Sequence, residues 1–326
     1  MNIKNILNLF KATFSAWIDD NAPSMGAALA YYTVFSIAPL LLIVISVAGI
    51  IFGVEVAREE IIAQLQNFMG KTGALVVQGL LESVSKPTES VPAAIIGVAL
   101  LLIGATTVFA ELQSDLDRIW RAPIRTKDAG IFGLIRTRVL AFGMILGIGF
   151  LLTVSLVLSA ALAILGKWWA PLFGEFKFLA NLVDITLSFF LITIAFAMIY
   201  KLMPRMKIYW RDVWVGAIVT AILFTIGKFL IGMYIGRSGV ASGFGAAGSL
   251  VVLLTWIYYS AQIFLMGAEF TKIYSYTLGS RKGQPIQTTA ILTEQMETRI
   301  PGIPSSNTKN PEQPPREFNK YRIKPP

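Results

Sequence analysis

The sequence predicts an all-α membrane protein that crosses the bilayer six times. Hydrophobic residues fill 55% of its 326 positions, charged residues fill only 14%, and the mean hydropathy is +0.65. This composition is too apolar for an ordinary soluble domain. Six apolar segments are each long enough to cross a hydrocarbon core of about 30 Å as a helix, which is the open structure that satisfies its own backbone in lipid. These segments are residues 25–53, 91–110, 137–165, 180–203, 212–236 and 248–273.

Residues 1–24 precede the first span and are predicted to form an amphipathic helix. Apolar side chains recur at helical spacing from Ile3 to Ile18, whereas Lys4 and Lys11 lie off that stripe. The segment lacks the continuous apolar core and the cleavage site of a signal peptide. Two interpretations stay open: the helix lies in the membrane interface, or it packs against the protein's own cytoplasmic face.

Two further segments flank or interrupt the predicted six-helix membrane domain of residues 25–278. Residues 54–90 are expected to form short amphipathic helices on the outer face, with a break at Gly70 to Gly73. Residues 279–326 hold 8 of the 15 prolines and have no periodic apolar face. They are predicted to be a disordered cytoplasmic tail.

The distribution of basic residues predicts that both termini lie in the cytoplasm. With the N-terminus inside, the cytoplasmic segments carry 21 lysines and arginines and the outer segments carry 6. Such an excess on the cytoplasmic side is typical of multi-pass proteins. The net charge of +9 is therefore explained without nucleic acid. Membrane lipids are the expected partners, and a homo-oligomer is left open.

The chain contains no histidine and no cysteine. Histidine is the commonest general base and metal ligand, and cysteine supplies nucleophilic or metal-binding thiolates. We therefore expect no catalytic residues, no metal site, no cofactor and no enzymatic activity.

Polar residues in the first and last spans are the candidate lining of a substrate path. Pro39 removes a helical hydrogen bond and kinks the first span, while Tyr258 and Gln262 lie four residues apart on one face of the last span. Polar groups in hydrocarbon are expected to point into the bundle or a wet cavity. The alternative is that the proline and its small neighbours only permit close packing. The candidates are Tyr31, Tyr32, Ser36, Pro39, Tyr258 and Gln262.

Charged residues near the cytoplasmic ends of two spans are candidates for ion pairing. Glu111, Asp115 and Arg118 share one helix face, and without histidine a salt-bridge network is favoured over a metal site. Glu269 lies ~31 Å into the last span, at the cytoplasmic boundary. We expect it to pair with the basic loops, or locally with Lys272 one turn later.

Four stretches of the chain together resemble the YihY/virulence factor BrkB family of bacterial inner-membrane proteins. The resemblance covers about residues 10–280 and implies a six-span helical fold in the inner membrane. Some members carry an older ribonuclease BN label, others a serum-resistance label, and relatives have been linked to envelope lipids or lipopolysaccharide. The stretches are ALAYYTVFSIAPLLL, LQSDLDRIWRAP, YKLMPRMKIYWRDVWVGA and GAAGSLVVLLTWIYYSAQIFLMGAEFTK.

These observations favour transport or translocation of a lipid or envelope-related molecule. A non-transporting envelope scaffold is the alternative. A ribonuclease is disfavoured, because such enzymes depend on histidine or on clustered carboxylates that bind metal ions. A continuous polar cavity from Tyr31 and Ser36 to Gln262 would favour transport, and a dry interface there would favour a scaffold.

Overall fold

All regular elements are helices in the part of the chain that the structure describes. The computed structural model describes residues 3–84, 91–122, 177–237 and 247–284, with isolated positions between 139 and 154 and at 244. Apart from those positions, the predicted span 137–165 and the tail beyond residue 284 lie outside the described residues. The helices are α1 (Ile3–Asp19), α2 (Ala22–Phe52), α3 (Val54–Val84), α4 (Val91–Ile119), α5 (Lys177–Leu202), α6 (Trp210–Arg237) and α7 (Gly248–Thr277).

Four described helices are long and apolar enough to cross a membrane. They contain the segments Ala22–Ile50, Ile185–Leu202, Trp210–Ile235 and Gly248–Thr277, which correspond to four of the six predicted spans. Helix α4 contains a fifth predicted span, and the remaining one falls outside the described residues. The described part of the chain is thus all-helical and holds four candidate membrane spans, and the number six stays a prediction.

Helix α2 lies at the centre of the bundle, against α3, α4 and α7. It begins after Asn21, whose backbone is left-handed, and ends at Gly53 with φ 85°, a residue type that adopts such a conformation at little cost. Pro39 lies inside it and is buried. Gly104 of α4 faces this proline, because an added Cβ there would lie 3.3 Å from Pro39 Cγ. The absent side chain lets α4 approach the proline position closely.

The segment after α2 is helical on both sides of Gly70. At that residue φ is 77° and ψ is 170°, so the helical path is interrupted within Val54–Val84. Glycine reaches this conformation without the penalty that a Cβ imposes. The interruption falls where the sequence predicts a break, whereas the location of this segment on the outer face stays a prediction.

Helices α6 and α7 pack through a reciprocal glycine–threonine contact. An added Cβ at Gly216 would lie 1.8 Å from the Thr271 hydroxyl oxygen, and one at Gly267 would lie 2.0 Å from the Thr220 hydroxyl oxygen. Each hydroxyl donates to the carbonyl oxygen four residues earlier on its own helix, at 2.7 Å. The contact is therefore close and its hydroxyls are satisfied, as is common between membrane helices.

Helix α1 lies along α7 with one face buried and the other exposed. Leu9 and Ala16 pack against Phe270 and Ile273 of α7. The opposite side exposes Leu7, Phe10, Phe14 and Ile18. The buried side of α1 thus packs against the protein itself. The exposed apolar stripe is typical of a helix that lies in a membrane interface.

One end of the bundle gathers the turn before α2, the ends of α4, α5 and α7, and the start of α6. We call it the Asp20 end. Contacts across it include Arg121 to Asp20, the backbone N–H of Arg205 to Asp117, and Ser275 to Asp212. This is the end that the basic residues predict to be cytoplasmic.

Candidate functional site

Four charged side chains form a group at the Asp20 end, which we call the charge cluster; three are buried and the fourth, Arg121, is 40% exposed. Lys272 Nζ lies 3.1 Å from Asp20 Oδ2 and 3.1 Å from Glu269 Oε2. Arg121, just after α4, donates to Asp20 Oδ1. The side chains of Asp20, Lys272 and Glu269 are 2%, 6% and 0% exposed. The cluster therefore ties the turn before α2 to the end of α4 and to α7.

The backbone turns on both sides of this cluster are unusual. Asn21, next to Asp20, has φ 59°, and Arg121 has φ 52°; they are the non-glycine residues with positive φ in the described part of the chain. This left-handed conformation is uncommon for residues with a Cβ and costs about 1–3 kcal/mol. Both lie where a helix ends, and at Arg121 the turn is closed by a bond from Ala122 N–H to the Asp117 carbonyl. Backbone strain of this kind often marks a functional constraint.

The charges of the cluster balance, with two carboxylates and two cations. Burial alone would raise the pKa of Asp20, but the charges of Lys272 and Arg121 help to outweigh burial and hold that pKa below its ordinary value. Glu269 Oε1 is buried and has no hydrogen-bond partner among the described residues. An unsatisfied buried acceptor costs about 1–3 kcal/mol. The cluster is thus neutral in charge but not fully satisfied.

Of the two partners foreseen for Glu269, the local one, Lys272, makes the contact. The ammonium also bridges to Asp20, 252 residues away along the chain. Because Glu269 has no exposed surface, the pair is drier than the solvated boundary position predicted from depth alone. Removing one partner of such a pair is correspondingly more costly.

Gln262 lies where α7 crosses the first turns of α2. An added Cβ at Gly26 would come 2.0 Å from Gln262 Nε2, and this nitrogen is 3.4 Å from the Pro23 carbonyl oxygen. Gln262 Oε1 is buried and has no partner among the described residues. Gly26 therefore makes room for an amide that is only partly satisfied.

The other predicted cavity residues are spread along α2 and α7. Ser36 is ten residues beyond Gly26, or ~15 Å along the helix, so Gln262 contacts α2 well before Ser36. Ser36 is 2% exposed, whereas Tyr31 is 59% and Tyr258 37% exposed. Tyr32 is half-buried and stacks edge-on against Tyr31, and Pro39 lies against Gly104. A continuous cavity through these residues stays a prediction.

Asp115 and Asp117 lie near the end of α4, on different faces of the helix. Asp115, beyond the predicted span 91–110, is 5% exposed, and its Oδ2 lacks a partner among the described residues. Burial and then the charge of Glu111 raise the pKa of Asp115 to about 7, against the opposing charge of Arg118. Arg118 itself is exposed. The ion pair found at this end of α4 is made by Asp117, which is two residues from Asp115 and so on a different face of the helix. Its Oδ2 lies 3.3 Å from Arg205 Nε.

Sequence reasoning did not select Asp20, Arg121 or Asp212 as site residues. Asp20 and Arg121 join the charge cluster, and Asp212 is fully buried and accepts hydrogen bonds from Ser275 and Ser280. A signal existed for Asp20, since the pair of aspartates directly before a long apolar span is unusual. The partners themselves are more than 60 residues apart in the chain, so no local pattern identifies them.

Comparisons with known proteins agree on one family. The model of the family described as virulence factor BrkB matches residues 13–290. A UPF0761 membrane protein of Pseudomonas aeruginosa (strain LESB58) is 28% identical over 82% of this chain and 63% of its own length. A UPF0761 membrane protein of Tolumonas auensis is 27% identical over 77% of this chain and 80% of its own length. A UPF0761 membrane protein of Psychromonas ingrahamii is 28% identical over 77% of this chain and 82% of its own length.

The chain thus spans less than two thirds of the length of the Pseudomonas aeruginosa relative. No solved structure matches it. The names of these relatives describe a membrane protein and no activity.

Proposed function

The chain belongs to the virulence factor BrkB family, as its motifs predict, and on that premise we propose that it transports or translocates a lipid or another envelope molecule across the bacterial inner membrane. The proposed orientation places both termini and the Asp20 end in the cytoplasm, because basic residues accumulate there.

The observation that carries the proposal is the charge cluster. A buried ion network is a poor source of stability, since an apolar replacement of similar volume is often as stable or more so. It is well suited to a contact that forms in one conformation and breaks in another, because its partners regain hydration when they separate. Here the cluster joins α2, α4 and α7 at one end only. A closed Asp20 end that opens by separating these helices is what alternating access requires.

Two features of the bundle interior support the same proposal. Pro39 interrupts the hydrogen bonding of α2 beside Gly104, which gives α2 a point at which to bend. Gln262 places an incompletely satisfied amide between α2 and α7. Polar, irregular positions of this kind accompany substrate paths in transporters.

The alternative is an envelope scaffold in which the charge cluster is a permanent lock. An experiment that detects opening of the Asp20 end separates the two. Because the chain has no native cysteine, spin labels can be attached at Ser114→Cys on α4 and at Lys282→Cys just after α7, both exposed. Transport predicts two distances between the labels in lipid nanodiscs, and Lys272→Met should increase the population of the longer one.

Arg205→Gln is the control, because it breaks only the half-exposed pair with Asp117. It should leave the distance distribution unchanged. The same protein is then placed in vesicles whose inner leaflet contains fluorescently labelled phosphatidylglycerol. If the protein translocates this lipid, dithionite added outside should reduce the label and lower the fluorescence. A single unchanged distance together with a fully protected inner leaflet would favour the scaffold and count against transport.

The proposed orientation has its own test. Reporter fusions placed within residues 60–90 should be active outside the cytoplasm, and fusions within 118–136 should be active inside. The reverse pattern would overturn the assignment of both termini to the cytoplasm.

A further inference from the structure

The turn between α5 and α6 alternates buried apolar and exposed side chains. Met203, Met206 and Ile208 are buried, while Arg205, Lys207 and Tyr209 are exposed. This alternation holds the apolar residues of the sequence MPRMKIY in the core. Its basic and aromatic side chains are thereby held outward at the Asp20 end.

The exposed charge of this turn is positive. Asp212 is the acidic residue within positions 201–214, and it is fully buried, accepting hydrogen bonds from Ser275 and Ser280. Arg205 is neutralised by Asp117 at 3.3 Å. Lys207 and Arg211 are both exposed, and the ion pairs found among the described residues do not include them.

Exposed aromatic rings stand beside these two cations. Tyr209, Trp210 and Trp214 are 60%, 50% and 38% exposed. Trp210 is held in place by Lys201, whose ammonium lies 5.3 Å from the ring centroid and also donates to the Ile208 carbonyl oxygen. Tyrosine and tryptophan at the first turn of a span are typical of the headgroup level of a bilayer, where one side of the ring is wet and the other apolar.

Helix α1 independently indicates that the headgroup level of the bilayer lies at the Asp20 end. Its exposed stripe contains Leu7, Phe10, Phe14 and Ile18, and its buried side packs near Val215 and Val219 of α6. An amphipathic helix of this kind lies in the plane of the membrane–water boundary. The start of α6 therefore lies at the depth of lipid phosphates.

We propose that Lys207, Tyr209, Trp210 and Arg211 form a docking surface for the headgroups of anionic phospholipids in the leaflet at the Asp20 end. The two cations complement the lipid phosphate charge, and the two rings pack along the glycerol region and upper chains. The proposal does not depend on transport, since a scaffold would bind the same lipids there.

The test compares lipid affinities of the purified full chain by native mass spectrometry. Phosphatidylglycerol and phosphatidylcholine are titrated separately, and the ratio of their association constants is measured. A basic residue near an anionic surface contributes roughly fivefold in affinity. Lys207→Gln/Arg211→Gln should therefore lower the ratio about 25-fold. The charge-conserving exchange Lys207→Arg/Arg211→Lys keeps both cations, although it swaps their types, and should retain most of the preference.

The control removes the same net charge from distant positions. Lys228 is 18 residues beyond Trp210, or ~27 Å along α6, and Arg58 lies beyond the far end of α2. Arg58→Gln/Lys228→Gln should keep the phosphatidylglycerol preference. An equal loss in this control, or a ratio within about twofold of the unmodified chain for Lys207→Gln/Arg211→Gln, would overturn the proposal.

A second measurement does not depend on those variants. In vesicles, brominated phosphatidylglycerol should quench tryptophan fluorescence more than brominated phosphatidylcholine does. Trp210→Phe should abolish most of that difference. If Trp210→Phe leaves the difference unchanged, the lipid does not dock at this surface.

Discussion

Replacing one member of the charge cluster should destabilise the protein far more than replacing an exposed charge. Glu269→Met exchanges the carboxylate for an unbranched apolar group of similar length. Lys272 then keeps Asp20 as its partner, and Asp20 is already shared with Arg121. The cluster is left with one excess positive charge, shared by the buried Lys272 and by Arg121, whose side chain is 40% exposed.

The magnitude follows from burial. Breaking a buried ion pair from one side costs about 3–5 kcal/mol, whereas an exposed pair is worth about 0–1 kcal/mol. The side chains of Glu269 and Lys272 are 0% and 6% exposed, so the cost of breaking a buried pair applies to them. For a chain of this size the melting temperature should fall by roughly 6–20 °C. Glu82→Met is the control, since Glu82 pairs with Arg58 at 3.7 Å with half its side chain exposed.

The double variant Glu269→Met/Lys272→Met provides the sharper result. It removes one charge of each sign and leaves Asp20 balanced by Arg121, so most of the lost stability should return. Thermal unfolding of Glu269→Met, Lys272→Met, the double variant and the Glu82→Met control, in one detergent and followed by circular dichroism, measures this coupling. If the single losses add in the double variant, or if Glu269→Met melts like the control, the cluster is not a mutually dependent, dry ion network.

Three further predictions concern packing, pH and the amide of α7. Gly267→Ala should destabilise by about 1–3 kcal/mol in chemical denaturation because its Cβ would overlap Thr220, whereas Gly232→Ala, with nothing within 4 Å, should not. The folded-state pKa of Asp115 is raised from 3.8 to about 7, so the folded state binds more protons and stability should fall as pH rises through that window; Asp115→Asn should remove this slope from melting temperatures. Gln262→Leu should keep the melting temperature, since the amide is only partly satisfied, but should impair complementation of a deletion strain. Full activity of that variant would contradict a role for Gln262 in a substrate path.

The helical membrane architecture was accessible from sequence because it depends on local patterns. An apolar stretch such as 248–273 has to be helical in lipid whatever surrounds it, and it corresponds to a candidate span in the structure. The interruption at Gly70 was similarly accessible, since a glycine marks it. The pairing of Glu269 with Lys272 lies within one turn and was foreseen as the local alternative.

The rest of the site depends on which helices pack together. The partners Asp20 and Lys272 are 252 residues apart, and Arg121 is 101 residues from Asp20; no periodicity relates them. The side of α2 that Gln262 meets was likewise decided by Gly26, because the helices approach most closely where a side chain is missing. The sequence by itself thus determined that the chain is a bundle of membrane helices with a basic end. Only the tertiary structure decided that a balanced and largely buried charge cluster joins the helices at that end, because charges can be taken out of water only where several helices bring opposite partners into contact.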